Sequence, residues 1–187
     1  MNKVLLSIAT VALAGSTMAQ SPQLSFGADI GLPLGDFGDV ASLIIGPSVG
    51  FELPVGDNLG VTAQVGYDFV SIKSDFKDFF DKYSMIPFQA GLKYYFTEQQ
   101  MGAYGHAQIG IHSSSVTTPE IDLGIVKVPS ETSTSTNMSW AIGAGYMMEK
   151  LDIGLRYNSI SPDSDVDGAT ASSYIGLRVA YLLPLGN

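Results

Sequence analysis

Asp29, Glu52, Asp68 and Asp152, with Lys93, Arg156 and Arg178, all fall at one parity of stretches whose other parity is apolar. Charges enclosed inside a narrow sheet survive only as pairs, because a buried ion without a partner costs several kcal/mol. Two chemistries fit such a set. One is a gate or small-ion path; the other, the plainer one, is a plug of ion pairs that satisfies itself. Alternation also places Arg178 beside Arg156 and Asp29 at mid-height, a cluster in which two guanidiniums share carboxylates.

Three other groups of residues have the types that chemistry needs. Asp163-Ser164-Asp165-Val166-Asp167-Gly168 has the D-x-D-x-D-G spacing of a calcium loop, in which alternate carboxylates converge on one ion. The position that would hold a bidentate Glu is Tyr174, so an Asp- and Gly-rich turn without metal is the plainer reading. His106 and His112 are the chain's histidines; they share a parity six residues apart, too far for joint metal ligation, and read as polar fillers. Phe76, Phe79, Phe80 and Tyr83 recur at helical spacing, opposite Asp75, Lys77, Asp78, Asp81 and Lys82. That pattern predicts a short helix whose aromatic stripe covers a mouth or binds a partner. Neither a phosphate loop nor a zinc cluster is recognisable, and the chain reads as no enzyme. No cofactor is implied beyond the calcium of that one loop.

The elements that must position these residues are strands. Ile86, Phe88, Ala90, Leu92, Tyr94 and Phe96 alternate with Pro87, Gln89, Gly91, Lys93 and Tyr95, and after Thr97-Glu98-Gln99-Gln100 the alternation resumes through Ile111. Successive side chains of a strand point to opposite faces, so this is an antiparallel hairpin. Similar alternation predicts strands from Gln23, across Ile45 to Leu53, across Val61 to Phe69, across Met138 to Met147, across Leu151 to Asn158, and across Ser173 to Tyr181. That makes eight strands.

Their connections alternate in length. Long ones follow the first, third, fifth and seventh strands: Gly35 to Asp39, Lys73 to Ser84, Ser113 to Thr136 and Ser161 to Ala171. Short ones follow the others. In an up-and-down meander all long loops then share one end, an asymmetry with no purpose in a soluble barrel. Phe51, Phe96, Tyr146 and Tyr181 toward the turn end, and Phe69, Trp140 and Tyr157 toward the loop end, suit the two aromatic belts of a membrane barrel. Met1-Asn2-Lys3, the apolar run from Val4 and the small residues before Gln20 read as a signal peptide over residues 1–19. Residues 20–187 then form one domain. The formal charge of −9 becomes −10 once Lys3 leaves, which argues against nucleic acid. No Cys is present, so neither a disulfide nor a lipidated cysteine is available.

This pattern of strands and loops resembles the small eight-stranded outer-membrane barrels of the OmpA transmembrane-domain and OmpX type. The resemblance implies an all-β, antiparallel, up-and-down transmembrane barrel in a Gram-negative outer membrane, with its termini in the periplasm and outer-membrane lipid around it. It implies a structural or adhesion-like surface role, in which the long loops meet an extracellular ligand. The alternative is a porin-like narrow gated channel for ions or small solutes. Longer members carry a peptidoglycan-binding domain, and this sequence reads without one. Members also usually end in an aromatic residue, where here Tyr181 is the last outward aromatic. The third loop, with Ile121, Leu123, Ile125, Val126 and Val128, is expected to prolong its flanking strands and offer an edge for strand addition.

Overall fold

The computed structural model describes residues 21–77, 79–97, 100–122, 127–162 and 170–186. The signal segment lies outside them. Strands β1 (Gln23–Leu34), β2 (Ala41–Pro54), β3 (Leu59–Gly66), β4 (Asp68–Ile72), β5 (Lys82–Tyr95), β6 (Gly102–Thr117), β9 (Thr132–Met147), β10 (Leu151–Ile160) and β11 (Ser172–Pro184) form one antiparallel sheet. Strands β7 (Ile121–Asp122) and β8 (Lys127–Val128) pair with each other in the third loop.

Because β1 pairs with both β2 and β11, the sheet closes on itself. Strands β3 and β4 are one barrel strand in two pieces, so the wall has eight staves. The interruption at Tyr67 has a local cause. Tyr67 donates its N–H to the Pro47 carbonyl at 3.0 Å, but Pro47 has no N–H to return. On the other side Gly66 falls opposite Pro87 by continuation of the β3–β5 register, with the same consequence. Register is unbroken across the gap, since Ser48 pairs with Gly66 and Ile45 with Phe69. Pro47 is thus accommodated as a missing ladder bond. Gly46, beside it, faces the Tyr67 carbonyl so closely that no Cβ fits there.

Alternation sorts the two faces completely enough to read by eye. Phe88, Leu92, Leu155 and Ile153 stand exposed on the outer wall, while Asp29, Lys93 and Arg156 are buried within it. The outer aromatic rings gather at both rims: Tyr94 with Phe96 and, separately, Tyr146 and Tyr181 near the turns, and Tyr67 with Phe69 and Trp140 with Tyr157 near the loops. This is the inverse of a soluble protein, whose apolar face is the covered one.

At the loop end two segments depart from their expected form. The first connection is not an open loop: Gly35, at φ +56°, starts a six-residue helix, α1 (Gly35–Val40), which buries Phe37. A helix that short carries no periodicity to read. The aromatic segment is less regular than the expected helix: a 3-10 turn at Ser74–Phe76 is followed by one in which Phe79 and Phe80 both donate their N–H to the Phe76 carbonyl at 3.1 Å. Phe79 is largely exposed, while Tyr83 already belongs to β5 and packs against the residues that fill the loop end. Strand pairing of β5 with β6, which reaches Lys82 and Thr117, bounds these turns.

Candidate functional site

Inside the wall the buried residues lie in levels. At the turn end Tyr95, Tyr104, Met147 and Leu182 pack together. Immediately above, Lys93 Nζ lies 3.0 Å from Glu52 Oε2 and 2.9 Å from Asp152 Oδ2. Both carboxylates gain a phenol: Tyr95 donates to Glu52 Oε1 and Tyr104 to Asp152 Oδ1, each at 2.6 Å. Lys93 also sits 4.3 Å from the Tyr104 ring centroid, a cation–π contact. Arg178 completes this level, donating to the Ser48 and Ser25 hydroxyls at 3.0 Å each, with its nearest carboxylate oxygen, on Asp152, at 3.9 Å.

One level higher Arg156 reaches two ways across the lumen. Its NH2 donates to Asp29 Oδ1 at 2.7 Å and its NH1 to Gln64 Oε1 at 2.9 Å. Asp68 belongs to this level but makes no ion pair among the described residues, and its Oδ1 is buried without a partner. His112, wholly buried, shares a 3.1 Å hydrogen bond with the Tyr174 hydroxyl. Neither histidine bonds a serine among the described residues. Above them Phe37, Ala41, Ile44, Val70, Met85, Ile160 and Tyr174 fill the loop end of the lumen, with Tyr83 packed against them.

The expected mid-height cluster is therefore divided. Arg178 is the register partner of Asp29, yet its guanidinium runs toward the turns, and Arg156 takes Asp29 instead. Register fixes neighbouring Cα atoms; a long side chain chooses its level by reach. The lower level balances two carboxylates with two cations, and the upper sets Asp29 and Asp68 against Arg156. Sequence reasoning overlooked Tyr95, Tyr104, Gln64, Ser25 and Ser48 as partners, although each carries the same parity as the charges. It also overlooked Phe37. The calcium loop, Asp163, Asp165 and Asp167, lies outside the described residues, and among those described no three His, Asp or Glu side chains converge to hold a metal.

The chain matches the family described as "Outer membrane protein beta-barrel domain" over residues 5–182. No curated protein matches it. Among solved structures, the N-terminal β-barrel domain of Pseudomonas aeruginosa OprF is similar, with TM-score 0.60, 13% identity, and coverage of 88% of this chain and 98% of that one. Ail, the attachment invasion locus protein of Yersinia pestis, gives TM-score 0.58 at 13% identity, covering 88% and 99%. Neisserial surface protein A gives 0.57 at 15%, covering 88% and 97%. At such identities the structures speak for the fold, while the family match spans nearly the whole sequence. The closed barrel with its charges inside and its apolar wall outside belongs to the outer membrane protein beta-barrel domain family, and its place is the outer membrane.

Proposed function

We propose that this barrel acts as a structural and surface-interaction protein, not as an enzyme, with its termini in the periplasm and its long loops outside the cell. The observation that carries the reading is a sheet that outgrows the barrel. Strands β6 and β9 stay paired up to Thr117 and Thr132, whereas the pairing of β9 with β10 ends at Ser139 and Ile160. Beyond Met138, whose carbonyl accepts from Ser161 N–H, the outer edge of β9 has no strand partner among the described residues. Alternation aims the N–H and C=O groups of Thr132, Thr134 and Thr136 into that edge. Hydroxyl pairs Ser115–Thr134 and Thr117–Thr132, both 2.9 Å, stiffen the projection. Such an edge receives an extended segment of another protein.

Ail, similar in fold, has been solved with a heparin analogue, sucrose octasulfate. A polyanion suits this chain poorly. Its four long connections hold eleven acidic and four basic residues, a net −7. A narrow gated channel is the second reading. An inner cavity of about 40 Å³ among the charges favours it, and the apolar fill at the loop end opposes it.

The test displays the protein on cells, deletes the long loops one at a time, adds Thr134→Pro, and screens binding to immobilised host-surface and serum proteins. Binding lost in the β6–β9 variants, with heat-modifiable gel mobility retained, is expected. Binding indifferent to every loop change would overturn the reading.

A further inference from the structure

The outward parity of β6 and β9 changes character along the strands. Ile109 opposite Trp140 and Ile111 opposite Met138 belong to the exposed apolar wall, and the next three outward pairs are hydroxyls: Ser113 with Thr136, Ser115 with Thr134 and Thr117 with Thr132. All three threonines of β9 are exposed. Each pair is hydrogen-bonded, at 3.2, 2.9 and 2.9 Å from the wall upward. Two bonded hydroxyls use one hydrogen between their oxygens, so every rung still offers a second O–H and free lone pairs to an outside partner.

Height limits what that partner is. Every second residue of a strand advances about 6.8 Å, and at the tilt of a membrane barrel the three rungs stand roughly 5, 10 and 15 Å above the Ile111–Met138 pair. The polar layer of an ordinary phospholipid leaflet is only about 5–8 Å deep. The lowest rung lies within it, and the upper two stand beyond it. A lipid headgroup that reaches them must be tall, and one that matches rows of donors and acceptors must be rich in hydroxyls.

Charge points the same way. The long connections carry a net −7, which turns polyanions away, yet none of their acidic residues stands in these three rungs. Lys82, exposed at the end of β5 and of the same parity as Ile86 and Phe88, falls opposite Thr117 in the top rung. An ammonium beside rows of hydroxyls suits a phosphate carried on a sugar.

We propose that the outward face of the β5–β6–β9 projection binds the phosphorylated saccharide headgroup of a glycolipid in the outer leaflet. The hydroxyl rungs hydrogen-bond the sugars, and Lys82 takes a phosphate. This face is made of side chains and the free margin of β9 of backbone groups, so a bound glycolipid leaves that margin open to a protein strand.

The experiment places the signal-free barrel in phosphatidylcholine nanodiscs that also contain either rough lipopolysaccharide, which is lipid A with its core sugars, or phosphatidylglycerol. Nuclear Overhauser contacts from sugar ring protons to the methyl groups of Thr132 and Thr134 are expected in the wild type. By native mass spectrometry, lipopolysaccharide should be retained in preference to phosphatidylglycerol. Its retention should fall about tenfold when Thr132→Val, Thr134→Val and Thr136→Val, which keep β-branching, are combined. Ser133→Ala with Ser135→Ala, on the same strand at the opposite parity, should change nothing. Heat-modifiable gel mobility verifies that the triple variant is folded. Sugar contacts absent from the two methyl groups would overturn the proposal, as would equal retention of the two lipids or undiminished retention by the folded triple variant.

Discussion

Lys93 Nζ stands 2.9 Å from Asp152 Oδ2, linking β5 to β10 across 59 residues of sequence and three staves of the wall. The same ammonium holds Glu52 from β2 at 3.0 Å. One buried cation thus ties three strands that never touch as neighbours.

Removing it leaves two carboxylates facing each other in the dark. Lys93→Met is expected to cost about 3 to 5 kcal/mol of unfolding free energy, the range for breaking a buried pair. Urea unfolding of the barrel in lipid vesicles measures this. Lys150→Met, on an exposed turn, should stay within about 0.5 kcal/mol. Equal effects of the two would show that the lumen pairs contribute nothing.

How this arrangement could be foreseen, and how far, follows from what alternation encodes. Parity alone told which side of the wall Asp29, Glu52, Lys93 and Arg156 occupy, because a strand offers two directions. It could not tell that Arg178, opposite Asp29 in register, would leave it for Ser25, Ser48 and the neighbourhood of Asp152. That choice depends on three-dimensional stagger and on side-chain length. Phe37 was illegible for another reason: one ring in a short Gly- and Asp-rich segment has no period, and only the fold supplies its pocket. The stripe from Phe76 to Tyr83 is divided: a clear local period goes with helical turns as far as Phe80, and strand pairing takes Tyr83, opposite Val116.

Phe37 is 8% exposed and packs its ring edge-on to Tyr83 with centroids 6.0 Å apart. Phe37→Ala should cost about 3 kcal/mol, the lower end for a buried Phe, since the site lies at the mouth. Phe79→Ala, 65% exposed, should be close to neutral. The reverse order would make Phe79, and not Phe37, the ring that covers the mouth.

Arg178 also decides between plug and path. Single-channel recording in planar bilayers should show no sustained unitary conductance for the wild type, and none for Arg178→Ala, because the apolar residues above it remain. Conductance that appears with the substitution would make Arg178 a gate.

Gly60 faces Lys93 in register, and the space of a Cβ there is already taken by the Glu52 carboxylate. Gly60→Ala must push Glu52 away from Lys93 and from the Tyr95 hydroxyl, with an expected cost of about 1 to 3 kcal/mol as for other overpacking. At Gly56 the nearest atom to an added Cβ is Leu59 Cβ at 4.0 Å, so Gly56→Ala should pass unnoticed. Comparing the two by urea unfolding separates crowding of the charge level from any general intolerance of alanine near the turns.

Leu155 tests the direction of the whole wall. It lies mid-strand on β10, is 55% exposed, and pairs with Ala144 and Leu177 while Arg156 beside it points inward. In hydrocarbon, Leu155→Arg should cost about 2 to 4 kcal/mol, because a guanidinium at mid-depth must be dragged from water. On the outside of a soluble barrel the same change should cost less than about 0.5 kcal/mol. Unfolding from phosphatidylcholine vesicles distinguishes the two, and a negligible loss there would remove the membrane from around this chain.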